Sequence, residues 1–214
     1  MCFHSKQSKT AQEVQNRFKA RIRVPEQFKS SKHINGFNYE ATPIITNYSP
    51  TTIEHFHWGL IPNWSKDEKI RQYTLNAKIE TLTEKPSFKG VVHQRCLVIA
   101  DGFYEWQWLD SKGKHKQKYE IGLATNELFC FGGLFSKWID PNTNKERYTY
   151  TIVTREANEL MSKIHNIKKR MPVILDAKNE KSWLEGESFQ AFEKTKIELK
   201  ANKIYEVNQN LSLF

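Results

Sequence analysis

The 214-residue chain carries 33 lysine and arginine residues against 24 acidic ones, giving a formal charge of +9 and an isoelectric point near 9.3. Its 38% hydrophobic and 13% aromatic content is enough to bury a full core, which excludes a disordered chain. Cys2, Cys96 and Cys130 form neither an even disulfide framework nor a CxxC pair, and no apolar run reaches the length of a membrane span. These bounds predict one cytoplasmic domain over residues 1–214. The basic balance makes nucleic acid the first candidate partner, with a merely basic soluble enzyme as the alternative.

The start of the chain reads Met1-Cys2-Phe3-His4. A small side chain at position 2 permits removal of Met1, which would expose Cys2 as the first residue. Its α-amine and thiol would then form a 1,2-aminothiol, able to condense with an aldehyde to a five-membered thiazolidine. Reference pKa values of roughly 7.7–8.0 and about 8.5 leave both groups usable near neutrality. On its own, a cysteine near the start of a chain is more often incidental.

Thr10 and Glu13 have capping-box spacing, and Val14, Phe18 and Ile22 recur at intervals of four, predicting a helix that Pro25 closes. A loop at Asn35-Gly36-Phe37-Asn38 precedes a strand starting at Pro43-Ile44-Ile45, and residues 52–58 alternate as a second strand. Trp58-Gly59-Leu60-Ile61-Pro62-Asn63-Trp64 reads as a shaped loop. Thr74 to Thr81 is neither a clean helix nor an alternating strand. Cys96 to Ala100 is a buried strand, turned by Asp101-Gly102 into Phe103 to Trp108, where Glu105 lies among rings. A carboxylate so surrounded is either paired or raised in pKa.

Asp110 to Gly113 is a hairpin turn, followed by alternating Lys112, Lys114, Lys116 and Lys118, which read as a charged exposed strand in preference to a DNA contact. Residues 127–135 form an aromatic strand in which Gly132-Gly133 marks a bulge or a close backbone approach. A strand over 148–154 leads into a helix from about Arg155 that ends at His165, then the basic Asn166-Ile167-Lys168-Lys169-Arg170-Met171-Pro172. Val173 to Leu175 is a strand, Asp176 caps a short helix, and the tail holds one more helix and a strand over 204–207. No repeat or linker interrupts the chain. The pattern predicts a single strand-rich domain with a few peripheral helices.

Zinc spacing, a phosphate loop, a dinucleotide fingerprint and a GxSxG elbow are all lacking, so neither a metal nor a cofactor is expected. What remains is Cys2 with Asn76, Glu105 and His165. Singly, Asn76 could cap a turn, Glu105 could face solvent and His165 could end its helix. Together they supply the two proton transfers of imine formation and an amide to hold the reacting group. Lys168, Lys169 and Arg170 suit phosphates, and Trp58, Trp64 and Trp106 suit base stacking, which points to single-stranded nucleic acid.

These residues fall into a known pattern. Met1-Cys2, Trp58-Gly59-Leu60-Ile61-Pro62, Asn76-Ala77-Lys78-Ile79-Glu80-Thr81, Arg95-Cys96-Leu97, Asp101-Gly102-Phe103-Tyr104-Glu105-Trp106, Ile164-His165 and Arg170 to Leu175 occur in order along nearly the whole chain. In this the chain resembles the SRAP family, the SOS-response-associated peptidases understood as abasic-site processing proteins. The resemblance implies an α+β single domain with a strand-rich, barrel-like, mainly antiparallel core. It also implies covalent capture of abasic sites in single-stranded DNA through Cys2, with associated lyase and self-processing peptidase activity. Asn76 would position the cysteine or the opened sugar, Glu105 would shuttle protons, and His165 would assist ring opening and reversal. The implied DNA contacts are His4, Asn38, Pro43, Trp64, Lys78, Trp106, Lys168, Lys169 and Arg170. A monomer needing no metal, cofactor or membrane, and joining the nucleoid on damaged DNA, would follow. The chain departs from the family at Phe3-His4 in place of Gly-Arg, at Lys78 in place of arginine, and in the four residues between His165 and Arg170. A non-covalent single-strand binder and an N-terminal-nucleophile peptidase are the competing readings.

Overall fold

The runs of β-branched and aromatic residues become strands, and short polar segments between them supply the helices; the computed structural model describes residues 2–205. In chain order the elements are β1 (His4–Gln7), α1 (Ala11–Phe18), β2 (Arg21–Ile22), β3 (Ser31–Asn35), β4 (Ala41–Thr46), β5 (Ser49–Trp58), β6 (Asn76–Lys78) and α2 (Pro86–Lys89). Then come β7 (Arg95–Ala100), β8 (Gly102–Trp108), β9 (Lys116–Leu123), β10 (Phe129–Ile139), β11 (Glu146–Glu156) and α3 (Glu159–Ile164). β12 (Arg170–Pro172), β13 (Ile174–Leu175), α4 (Ala177–Leu184) and β14 (Leu199–Ile204) complete the described chain.

Two sheets result. The first is antiparallel throughout, in the order β14-β9-β8-β1-β3. In the second, β11, β10, β7, β4 and β5 follow one another as antiparallel neighbours, and β5 returns to pair with β11 in parallel. That last contact closes a five-stranded barrel, the mainly antiparallel, barrel-like α+β core that the family resemblance implies. Closure leaves these strands no free edge. They are buried on both faces. Ile44, Val98, Phe131, Tyr150 and Ile152 join Phe103 and Ile121 of the first sheet in one apolar cluster. Ile45, Leu97, Ile99, Cys130 and Val153 join Val14 of α1 and Trp183 of α4 in another. Among the described residues no helix is long and apolar enough to cross a membrane.

Several boundaries differ from the sequence pattern. The Thr10–Glu13 capping box forms, but α1 ends at Phe18 because Lys19 turns left-handed at φ 51°, not because of Pro25. Ile22 belongs to β2, buried beside Ile53 of β5, so its spacing from Phe18 was coincidence. The helix expected from Arg155 starts only at Glu159, capped by Asn158, since Arg155 and Glu156 still pair with Met171 and Arg170. The tail holds a 3-10 turn at Phe189–Phe192, and its strand precedes the expected span. Met1 and the 206–207 end of that expected strand lie outside the described residues.

Gly132 and Gly133 mark close approach. β10 keeps regular register with β7 through both, while its pairing with β11 begins at Gly133 and the Gly132 amide donates to the Val173 carbonyl. A Cβ on Gly133 would stand 2.8 Å from both the Cys96 sulfur and the Thr151 carbonyl oxygen. Neither neighbour is a flexible tip, so Gly133→Ala should lower stability by about 1–3 kcal/mol through overpacking. Urea unfolding checks this: the midpoint should fall with an unchanged slope.

Candidate active site

The N-terminal strand is threaded between two others. β1 pairs with β8 (His4 opposite Tyr104) and with β3 (His4 opposite Asn35). Ahead of it, Phe3 O accepts from the Gly36 amide at 2.8 Å, where a Cβ would meet the Trp58 ring at 3.2 Å and Phe3 O at 3.3 Å. Glycine is therefore the residue that lets this loop approach. Cys2 is fully buried, and its carbonyl accepts from Asn76 Nδ2 at 2.9 Å. Asn76 is itself fixed by β6, which runs parallel to β11 with Asn76 opposite Ile152. Just before it, Leu75 O accepts from the Trp58 indole at 2.8 Å and from the Ile152 amide at 3.1 Å. Burial pushes the Cys2 thiol well above the ordinary cysteine range, and the nearby Glu105 carboxylate adds to the effect.

Glu105 projects from β8 on the same side as buried Phe103 and is 6% exposed. Burial raises its carboxyl from an ordinary 4.5 to about 7, although the Trp106 amide pulls the other way. His165 caps α3, and its Nδ1 lies 3.1 Å from the Arg170 amide and 3.0 Å from the Arg170 carbonyl oxygen. Burial, with Lys168 and Arg170 nearby, lowers its pKa to about 4, so the ring is neutral at pH 7. Phe3, Glu105, Trp106, Trp108, Lys116, His165, Ile167 and Lys168 line one cleft of about 270 Å³. It can hold a small polar group between a carboxyl and an imidazole whose pKa values are driven apart, the usual mark of an acid–base pair.

A residue the sequence reading passed over locks this cleft. Asn166 donates to Trp108 O at 2.9 Å and accepts from the Trp108 amide at 3.1 Å, clipping the segment after His165 onto β8. Only its position next to His165 could have suggested it.

The expected DNA contacts divide. Lys168 lines the cleft, Lys169 is exposed in a left-handed turn, and Lys78 is exposed at the end of β6. Trp106 packs against the edge of His4 at 4.8 Å, and Trp64 is 57% exposed in its loop. Asn38 is exposed and donates to Glu40 at 3.2 Å. Three candidates are corrected. Pro43 is buried in β4 opposite His55 and offers no surface to a strand. Trp58 is buried in the core and cannot stack on a base. Arg170 is not a free cation, since its guanidinium holds both Glu80 carboxylate oxygens at 2.6 and 2.9 Å and the Thr154 carbonyl at 2.8 Å. The lysines after the hairpin guard no edge, because β9 lies between β8 and β14: Lys116 lies 5.1 Å from the Trp108 ring centre, and Lys118 5.4 Å from that of Trp106. Among the described residues, no group of three or more His, Cys, Asp or Glu side chains could hold a metal ion.

The family model described as SOS response associated peptidase (SRAP) matches residues 1–212. The protein named abasic site processing protein YoqW of Bacillus subtilis is 50% identical over 142 residues, covering 66% of this chain and 61% of that protein. The abasic site processing protein HMCES of Gallus gallus is 36% identical over 151 residues, covering 60% of this chain and 43% of its own length. The chain thus aligns with about three fifths or less of these curated relatives. A crystal structure of a Bacteroides thetaiotaomicron protein superposes with a TM-score of 0.87 at 32% identity, covering 96% of this chain and 93% of that one.

The buried carboxyl makes a stability prediction. Between pH 4.5 and about 7 the folded state holds a proton at Glu105 that the unfolded chain has released, so stability falls as pH rises through that window. Glu105→Gln removes this dependence. Its stability advantage over wild type should widen by about 3 kcal/mol from pH 4 to pH 8, measured by urea midpoints. A constant difference across that range would show that the carboxyl ionises normally.

Proposed function

The chain belongs to the SRAP (SOS response associated peptidase) family, and on that footing we propose that it is an abasic-site processing protein that links covalently to single-stranded DNA through Cys2. The observation that carries this reading is the cleft in which Glu105, with its carboxyl near 7, meets neutral His165 beside an N-terminal segment held by Asn76.

Removal of Met1 gives Cys2 a free α-amine. The amine attacks C1′ of the ring-opened sugar, the new C–N bond forms, and the aldehyde oxygen takes a proton from the Glu105 carboxyl. The nitrogen returns a proton to the carboxylate. A second transfer from Glu105 expels the carbinolamine hydroxyl as water, and the nitrogen returns its remaining proton to the carboxylate, leaving an imine. The thiol then adds across the imine: sulfur bonds to carbon, its proton passes to nitrogen, and a thiazolidine ring closes. One water is lost overall and nothing is oxidised. A carboxyl near 7 is half protonated at working pH and serves both directions of transfer. Neutral His165 can accept the sugar hydroxyl proton as the ring opens. Asn76 fixes the attacking residue through its carbonyl, Trp106 offers a stacking face, and Lys168 at the cleft offers a charge for phosphate. Lyase and self-processing peptidase activities would use the same groups.

The full burial of the Cys2 side chain favours a second reading, a non-covalent single-strand binder in which the cysteine is incidental. One assay separates the two. Protein shown by mass to lack Met1 is incubated with an oligonucleotide bearing one abasic site and run on a denaturing gel. Wild type should give an SDS-stable adduct one water lighter than the sum of its parts. Cys2→Ala should give no thiazolidine adduct, and Glu105→Gln should slow formation by about 100-fold. Absence of adduct from correctly processed wild type, with binding retained, supports the binder.

A further inference from the structure

Beside the cleft, the outer face of the first sheet carries two histidines, His4 and His33, that the chemistry above does not use. Residues directly opposite across antiparallel strands share a face. His4 is opposite Tyr104, Trp106 opposite Lys118, and Trp108 opposite Lys116, so these side chains form one surface across β1, β8 and β9. On the far side of β1, His33 of β3 reaches across to it. His33 Nε2 and His4 Nδ1 are 2.9 Å apart, with the ring centres 5.0 Å apart and the ring planes within 19°, so the two rings meet end to end. His33 meets Tyr104 edge-on at 5.3 Å, and His4 meets Trp106 at 4.8 Å. Lys118 Nζ lies 4.7 Å from the Tyr104 ring centre and 5.4 Å from that of Trp106.

Two imidazole nitrogens at this distance must share one hydrogen, one ring donating and the other accepting. In the neutral pair, the donating ring then has a bare outer nitrogen, and the accepting ring has an outer N–H. One added proton turns both outer nitrogens into donors and gives the pair a single positive charge. A second would set two N–H groups against each other across the 2.9 Å contact. The pair therefore takes one proton as a unit, and in that state it offers a phosphodiester backbone one positive charge and an N–H donor at each outer end.

We propose that His4 and His33 act together as a phosphodiester site for the single strand, and that the pair takes up one proton when the strand binds. This rests on the single-stranded DNA reading, in which the resemblance implies His4 alone as a contact, and adds to it the partnership with His33 and a pH dependence. The surroundings keep the free pair neutral. Burial lowers His4 to about 4, helped by His33 and Lys118, and burial and Lys118 also lower His33. Of the other groups facing it, Lys6 of β1 and Glu120 of β9 neutralise each other at 2.6 Å. The Tyr104 hydroxyl of β8 donates to the Lys32 carbonyl of β3. Glu105 lies on the opposite face of β8. Among the described residues no unbalanced carboxylate draws a proton to the pair, so an incoming phosphate would supply the missing negative charge.

The test is binding of a short undamaged single-stranded oligonucleotide, which has no aldehyde and cannot crosslink. Fluorescence anisotropy from pH 5 to 8 at fixed ionic strength should show affinity rising several-fold per pH unit as pH falls. Tenfold per unit is the limit for one proton. His33→Gln and His4→Gln should each flatten that slope, and His33→Lys should bind without pH dependence. Calorimetry of wild type in two buffers of different ionisation enthalpy should give an uptake approaching one proton near pH 6, a readout that depends on no variant. Binding by wild type that is flat with pH and takes up no proton overturns the site, as does a slope that survives in both glutamine variants, and either leaves the DNA reading standing. Absence of binding at every pH overturns the DNA reading and this inference with it.

Discussion

The contact on which the site depends is the hydrogen bond from the Trp58 indole to Leu75 O, made where β5 closes the barrel against β11. Trp58 is fully buried and stacks on Tyr150, whose hydroxyl meets Thr42 of β4 at 2.7 Å. Barrel closure therefore fixes the backbone just before Asn76, and Asn76 in turn fixes the Cys2 carbonyl. The same ring stands under Gly36, the residue whose amide holds Phe3. One buried tryptophan thus sets both restraints on the start of the chain. A polar indole tip inside a core needs an acceptor, so its bond cannot be dropped without cost.

Burial also does the electrostatic work. Taking a group out of water disfavours its charged form, so a carboxyl rises and an imidazole falls. Glu105 moves to about 7 and His165 to about 4 for the same first reason, burial. The consequence is a site whose acid can hold its proton near neutrality while its base stays bare. Lys168 and Arg170 reinforce this on the histidine side, since a cation beside an imidazole opposes a second positive charge. What the site needs from the fold is exclusion of water on one side of β8, and Phe103 and the apolar cluster around it provide that.

Much of this was legible in the sequence because it is local. The capping box at Thr10 and Glu13, the buried run Cys96 to Ala100, the turn at Asp110 and the alternation in β8 each follow from a few adjacent residues. Glu105 stood out for the same reason, as a carboxylate in an aromatic strand. What could not be read depends on partners distant in sequence. Strand β11 runs on through Glu156 because β12 pairs with it, and nothing near Arg155 signals that. Arg170 looks like a phosphate ligand in its basic stretch, yet Glu80, 90 residues away, takes its guanidinium. His33 carried no signal at all, because only the pairing of β1 with β3 brings it to His4.

The fate of Arg170 belongs to a wider division between the two kinds of cation. Arg95 donates to the carbonyls of Trp183 and Glu187, and Arg155 to those of Glu193 and Thr195. These guanidiniums, several donors in a rigid fork, tie loops to the barrel, a task an ammonium does poorly. The charges left at the cleft and on the outer sheet face are lysines: Lys168 and Lys116 at the cleft, Lys118 beside Trp106. A lysine is a point charge that fixes no bidentate geometry, so phosphates held this way are gripped without regard to sequence and with strong dependence on salt. For a protein proposed to meet a lesion wherever it occurs, that is the appropriate kind of hold. Recognition of the lesion then falls to the aldehyde chemistry in the cleft, and the aromatic rings and lysines have only to keep a strand within its reach.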